Sequence, residues 1–523
     1  MVTAPLSNVA LPHARHSALL LTMSFICTML TFINMGCITA ATPDLSGTFV
    51  VGTLDVSWSG AACPLGTALA FTGATYLWSR IGLRRALRLA LMLICFGAVL
   101  GLIADHFLIM IFARFLQGIG GGLALVYATG LLNEALPQEA RKLPMGLRMC
   151  SIGLASCSSP VLGCILVQYS SWRGLFVGIG IISAILCLLT SLYVPNQKIP
   201  KSGKFDWVSF FFLGMGCVCI LMVIIYGEID GWNAGNVLAW MYGGFCSFLM
   251  LVVSCLSHKT PLLDFRILGN WRFLFALLAS LCNIFCICWI RVGTVQYMRN
   301  VMNYEPIQIA RVFIVLVLSF CVGAAIVLPL MQKGKIALRV GMMSGLLGLG
   351  GAAFLLSRVD DNCSWIDVAC PLSLFGIGYA FCLIIATPLA LRGVPPSRAS
   401  TSARTLNTIR YIFISMYVSS VSTVLAHMKT DFHFTVAEHV REEASGTAYT
   451  LDFWQRNFIS EGKTPAEVHA AVDALLQKAV SLQSQIFSVD YFYLCTVMVG
   501  AAGVLFTVLC LKLKPESERL SAS

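Results

Sequence analysis

Apolar runs of about twenty residues, separated by short clusters of charge, glycine and proline, recur along nearly the whole chain. They lie near 18–41, 56–78, 86–104, 107–133, 145–169, 172–193, 207–226, 236–256, 271–292, 308–331, 339–357, 367–390, 405–425 and 487–511. Each is long enough for a helix, rising about 1.5 Å per residue, to cross a hydrocarbon core of about 30 Å. The pattern therefore predicts about fourteen membrane-spanning helices. The first run is not expected to be a cleaved signal, because Asn34, Thr39 and Thr42 interrupt it and no small-residue cleavage site follows. One long polar stretch, 426–486, separates the last two runs. Within it Thr464-Pro465-Ala466-Glu467 reads as a capping box with proline at the first helical position. Val468, Val472, Leu475, Leu476, Ala479 and Leu482 follow at three- and four-residue spacing, which predicts an amphipathic helix of about five turns.

Composition supports the membrane reading. Of 523 residues 58% are hydrophobic and only 11% charged, and the mean hydropathy is +0.83; soluble domains carry roughly 25% charged residues. A net charge of +11 would suggest a nucleic-acid partner in a soluble chain. Here the basic residues fall in alternate loops: Arg80, Arg84, Arg85 and Arg88; Arg141 and Lys142; Lys198, Lys201 and Lys204; Lys259, Arg266 and Arg272; Lys333, Lys335 and Arg339; Arg392, Arg398 and Arg404; Lys512 and Lys514. The intervening loops hold Asp44, Asp55, Asp105, Glu228, Asp230, Asp360, Asp361 and Asp367. By the positive-inside rule both termini are cytoplasmic and the span count is even. The charge is topological, and no nucleic-acid partner is expected.

The 21 cysteines lie mostly within the spans, where cysteine serves as a small apolar residue. No Cys/His spacing suggests a metal site, and no cofactor motif is present. Cys363 and Cys370 share an expected periplasmic loop, where a disulfide is compatible with the compartment. His427, His433, His439 and His469 have no carboxylate or cysteine at metal spacing and are expected to be solvated.

Six stretches carry a family resemblance. Leu77-Trp78-Ser79-Arg80-Ile81-Gly82-Leu83-Arg84-Arg85 resembles the first-loop signature of the major facilitator superfamily, with Ser79 where that signature has an acid. Arg114-Phe115-Leu116-Gln117-Gly118 resembles the Arg-x-x-Gln-Gly signature of proton-coupled exporters. Pro160 and Gly163, with small Ala155, Ser159 and Cys164, fall on the antiporter signature of the fifth span, where small residues permit close helix approach. Gly227-Glu228-Ile229-Asp230-Gly231-Trp232, Lys259-Thr260-Pro261-Leu262-Leu263-Asp264-Phe265-Arg266 and the Asn407/Arg410 pair are similar to the fourteen-span, EmrB-like drug:proton antiporter branch. The likeness runs from about residue 20 to 512.

The resemblance implies an all-α membrane protein of the major facilitator fold. Its parts would be a cytoplasmic N-terminus, 1–17; an N-terminal six-helix bundle, 18–193; a linker and two extra spans, 194–257; a C-terminal bundle, 258–512, with the periplasmic insert 426–486; and a cytoplasmic tail, 513–523. It also implies alternating access between the bundles and an inner-membrane location. An EmrA/HlyD-like periplasmic adaptor leading to an outer-membrane channel would be the partner, beside the small-molecule substrate and membrane lipid. The branch places an Asp in the first span, and the matching position here is Asn34, which cannot titrate. Asp55, Glu228 and Asp230 at span ends are the remaining coupling candidates. Arg114 is about seven residues, or roughly 10 Å, inside the membrane, a depth that demands a polar cavity or a partner. With Gln117 and Arg410 it completes the candidate cavity set, and the interior arginines favour an amphipathic anionic or neutral substrate. Proton-coupled export of amphipathic drugs, siderophores or secreted metabolites leads; uptake or facilitated transport by the same fold and a non-transporting scaffold or sensor stand as alternatives. No nucleophile–base pair, metal cluster or phosphate loop suggests an enzyme.

Overall fold

The computed structural model describes residues 11–136, 142–199, 203–258, 261–330, 335–360, 363–391, 394, 396–439, 445–460 and 464–512. Of the loop residues named above, Arg141, Lys201, Lys259, Thr260, Lys333, Asp361, Arg392 and Lys514 lie outside the described residues. So do the side chains of Lys142, Lys335, Arg339, Arg398, His439 and Lys512.

The described chain is all helical. In order the helices are α1 (Leu11–Gly36), α2 (Thr42–Phe49), α3 (Ser57–Ile81), α4 (Leu83–Leu102), α5 (Phe107–Ala135), α6 (Lys142–Tyr169), α7 (Trp172–Tyr193), α8 (Trp207–Asp230) and α9 (Gly235–Ser257). They continue with α10 (Trp271–Asn300), α11 (Pro306–Leu330), α12 (Lys335–Leu356), α13 (Trp365–Leu391), α14 (Pro396–His439), α15 (Ser445–Ser460) and α16 (Pro465–Lys512). Among the described residues twelve helices are long and apolar enough to cross a membrane. Two more runs expected from sequence are also helical. α3 is less hydropathic because its buried faces carry Ser57, Ser59, Thr67 and Thr72, and the apolar part of α12 is the shorter Val340–Leu356.

Two bundles form, each around its own apolar core. In the first, Leu20, Leu91, Tyr127 and Phe176 meet from α1, α4, α5 and α7. In the second, Phe313, Leu346, Phe375 and Phe492 meet from α11, α12, α13 and α16. α8 and α9 pack on each other, and α8 reaches both bundles through α3 and α14. Many large apolar side chains point outward instead, among them Phe96, Phe112, Ile181, Phe211, Phe245 and Leu318. Such a surface is stable only against lipid.

Small residues set how closely the helices approach. A Cβ on Gly118 of α5 would stand 2.1 Å from the Cys63 carbonyl oxygen of α3, and Thr67 Oγ1 donates across that crossing to the Gly118 carbonyl at 3.0 Å. Gly163 of α6 lies against the Cys37 backbone in the same manner, and Pro160 is inside the same helix. The small-residue face expected of the fifth span therefore serves helix approach. In the first loop Gly82 holds φ +87° between α3 and α4, and a Cβ there would strike Asn196. The turn is latched to the segment after α7: Leu83 N donates to the Gln197 carbonyl at 2.8 Å, and Arg84 Nε donates to the Val194 carbonyl. Arg80 lies over the Tyr76 ring and Arg85 is exposed. Ser79, standing where the family has an acid, donates to the Tyr76 carbonyl within its own helix.

Two sequence expectations change here. The amphipathic helix beginning at Pro465 is present, and Glu467 accepts from both Thr464 N and Thr464 Oγ1 at 2.8 Å. It does not stop before the last span, however. α16 runs unbroken for 48 residues, so residue 486 is not a structural boundary. No glycine, proline or capping pattern interrupts 466–499, and the hydrogen-bond ladder continues. α14 likewise extends through 44 residues past its apolar part. Its Phe432 packs on Phe487 and Tyr491 of α16. Second, Cys363 and Cys370 are free thiols. Cys363 sits in the turn before α13, where its sulfur accepts from Asp360 N, while Cys370 projects exposed from the helix.

Candidate functional site

Between the bundles lies a cavity of about 570 Å³, lined by α1, α3, α5 and α6 on one side and α10, α13 and α14 on the other. It reaches from Gly36, Ser156 and Arg291 in the middle of the protein to Trp78, Asn133, Ile199 and Arg404 at the end bearing the basic loops. The opposite end is closed. Arg291 of α10 donates to Ser156 Oγ of α6 at 2.7 Å and to its carbonyl at 3.1 Å, bridging the bundles. Beyond it Asp44 of α2 faces Arg299 of α10 at 3.6 Å, an ion pair through space rather than a hydrogen bond.

The walls are mostly apolar. Phe32, Phe71, Ile284, Ile287, Leu383 and Tyr411 contribute, and Tyr411 stacks on Phe71 with ring centroids 5.2 Å apart. Among the described residues, the charged ones lining the cavity are Arg148, Arg291, Arg404 and Arg410, with no Asp, Glu, Lys or His. Arg148 donates to Thr28 Oγ1 at 3.2 Å and to the Leu125 carbonyl at 2.7 Å. Arg410 is held by Ser280 Oγ at 2.7 Å and Thr387 Oγ1 at 2.9 Å, and Arg404 by the Pro261 carbonyl at 3.2 Å. These partners are all neutral. They orient the guanidinium groups without cancelling their charge, although Asp264 lies close enough to act on that of Arg404.

The sequence candidates are distributed differently from expectation. Arg410 lines the cavity. Arg114 is 1% exposed and stands behind the wall with Asn34 and Gln117, which are equally buried. Its Nη1 donates to Asn34 Oδ1 at 2.7 Å and Gln117 Oε1 at 2.9 Å, its Nη2 to the Asn34 carbonyl at 2.8 Å, and its Nε to the Ser59 carbonyl at 3.3 Å. The guanidinium thus straps α5 to α1 and α3, which answers the depth problem with a partner rather than a cavity. Asp55, Glu228 and Asp230 lie together at the closed end and do not line the cavity. Asp55 neighbours Tyr226, Glu228 accepts from His427 at 2.9 Å, and Asp230 accepts from Asn236. His427, expected to be free in solvent, is therefore a link between α8 and α14. Among the described residues no His/Cys/Asp/Glu group could hold a metal ion.

Sequence reasoning passed over Ser280 and Asn283, which line the cavity with Arg291 from one face of α10. Their signal was present as polar residues at helical spacing inside an apolar run.

Two bundles closing one end of a shared, mostly apolar cavity define a carrier that works by alternating access. The family model for the Major Facilitator Superfamily matches residues 24–418, and the chain belongs to that superfamily. It is a multi-pass membrane protein and a secondary transporter. Multidrug resistance protein Stp of Mycobacterium tuberculosis is 25% identical over 401 residues, spanning 76% of this chain and 73% of that protein. Drug efflux pump JefA of the same organism is 23% identical over 399 residues, 76% of this chain and 78% of its own. The fold is shared with the crystal structure of a bacterial homolog of the human lysosomal transporter Spinster. That match has a TM-score of 0.59 at 12% identity and covers 95% of this chain and 97% of that one.

Proposed function

We propose that this transporter exports amphipathic small molecules from the cytoplasm across a bacterial inner membrane. The observation that carries the reading is the cavity itself: largely apolar, of ligand size, and reaching only the end where the basic loops lie. The positive-inside rule makes that end cytoplasmic, with both termini on the same side. The structure is then the state that loads from the cytoplasm. The relatives named as multidrug resistance and drug efflux proteins support the direction. The paired extra helices α8 and α9, between the bundles in sequence, support the fourteen-span, EmrB-like branch. In that orientation α15 and the extensions of α14 and α16 stand in the periplasm. They expose Phe434, Tyr449, Phe453 and Ile459, which suits docking of the periplasmic adaptor expected from the resemblance.

Direction is tested with membrane vesicles of both orientations. Export predicts that an energised inverted vesicle accumulates an amphipathic substrate in its lumen. Accumulation confined to right-side-out vesicles would make the protein an importer.

A further inference from the structure

We infer that the central cavity selects organic anions, and that Arg410 is the residue that binds their charged group. The inference deepens the export reading and rests on it for the role of the cavity. Four arginines line the cavity, Arg148, Arg291, Arg404 and Arg410, and Arg410 Nη2, Arg291 Nε and Arg404 Nε are buried without a protein partner. Arg410 is 8% exposed, and its other two nitrogens are fixed by Ser280 and Thr387. The guanidinium is thus preset at the cavity wall rather than swinging. Water cannot neutralise the guanidinium groups of Arg148, Arg291 and Arg410 in a low-dielectric cleft whose described lining residues include no carboxylate. A mobile anion can. Guanidinium forks match carboxylate, sulfonate and phosphate geometry. Phe71, Ile287, Leu383 and Tyr411 on the same walls then call for an apolar body attached to that anion, which separates this ligand from inorganic ions. A lipophilic cation, by contrast, would meet four like charges.

The test uses the full-length protein in phosphatidylcholine nanodiscs, in low-chloride buffer, so that neither an anionic headgroup nor chloride competes. Three fluorescent probes share one pyrene-butyl body and end in a carboxylate, a carboxamide or a trimethylammonium. Binding is followed by fluorescence polarisation. The carboxylate is expected to bind about tenfold or more tightly than the carboxamide, the ordinary scale of one charge-assisted hydrogen bond, and the trimethylammonium weakest. Arg410→Gln should remove the carboxylate's advantage while carboxamide binding stays within about twofold. Arg410→Lys should restore part of it, and Arg311→Gln, at an exposed position on α11 away from the cavity, should change nothing. Equal binding of all three probes, a preference for the cation, or a carboxylate preference surviving in Arg410→Gln would overturn the anion assignment and leave the cavity as the binding site. Failure of every probe to bind the wild type would overturn the cavity reading and the assignment together. The probe series on wild type decides the anion assignment even where a variant misfolds, and Arg410→Lys, which keeps the charge, serves as the second variant for the role of Arg410.

Discussion

Replacing Arg114 with lysine removes a strap without removing the charge, and so separates two roles that a buried arginine can have. The guanidinium makes four hydrogen bonds, to Asn34 Oδ1, the Asn34 carbonyl, Gln117 Oε1 and the Ser59 carbonyl, at 2.7 to 3.3 Å. They radiate from three nitrogens toward α1, α3 and α5. A lysine ammonium is a single point on a flexible stem, and from the α5 backbone it can satisfy at most two of these acceptors. At least two bonds are lost. Hydrogen bonds to a charged group net about 1.5–3 kcal/mol each, so Arg114→Lys should cost about 3–6 kcal/mol, a large share of ordinary stability. The assay is thermal unfolding in detergent, followed by a thiol-reactive fluorophore. Cys37 and Cys63 lie beside the strap; they and Cys27 are buried when folded and become reactive as the bundle opens. The melting temperature should fall by several degrees, and Gln117→Leu, which removes one bond, should lower it less. A melting temperature equal to wild type, with substrate affinity sharply reduced, would refute the reasoning and make Arg114 a substrate ligand instead.

Gly118→Val should prevent stable packing of α3 on α5, because its first carbon meets the Cys63 carbonyl at 2.1 Å. Overpacking of this sort costs about 1–3 kcal/mol or more, visible as lost monodisperse yield, whereas Gly47→Ala, with nothing within 4 Å of the new carbon, should keep or raise the melting temperature. Asp44→Asn removes the through-space pair with Arg299, whose side chains are 41% and 20% exposed. At that exposure the pair is worth at most about 1 kcal/mol, so hydrogen exchange in 42–49 and 296–302 should rise by no more than about fivefold; a larger rise would show that the pair is the principal latch. In liposomes under an imposed pH gradient the wild type should respond less than about twofold, since no carboxylate is among the described cavity-lining residues. Asn34→Asp should make flux respond to the gradient, and a strong response of the wild type would instead implicate Asp55, Glu228 or Asp230.

The membrane class, the helical spans and the family were legible in the chain because each is written in local terms. Hydrocarbon demands runs of apolar residues whose backbone bonds close within one helix, and loop charge sets orientation residue by residue. The glycines and prolines of the signatures mark sites of close approach wherever they occur. Even the capping box at Thr464 was readable, since its bonds span three residues. What the chain alone did not disclose was which side chains share a space. Arg114 and Arg410 are both arginines buried in apolar helices, yet one is enclosed by four acceptors behind the wall and the other lines the cavity, held by two hydroxyl groups. Their difference depends on residues 23 to 130 positions away, from Asn34 for the one to Thr387 and Ser280 for the other. The carboxylates chosen from sequence were judged by depth along their own helices, but whether an acid meets the cavity is a matter of helix rotation and crossing. Those are fixed by contacts such as Gly118 on Cys63 and Gly163 on Cys37, because van der Waals packing between helices acts over a few ångströms in space and takes no account of distance along the chain.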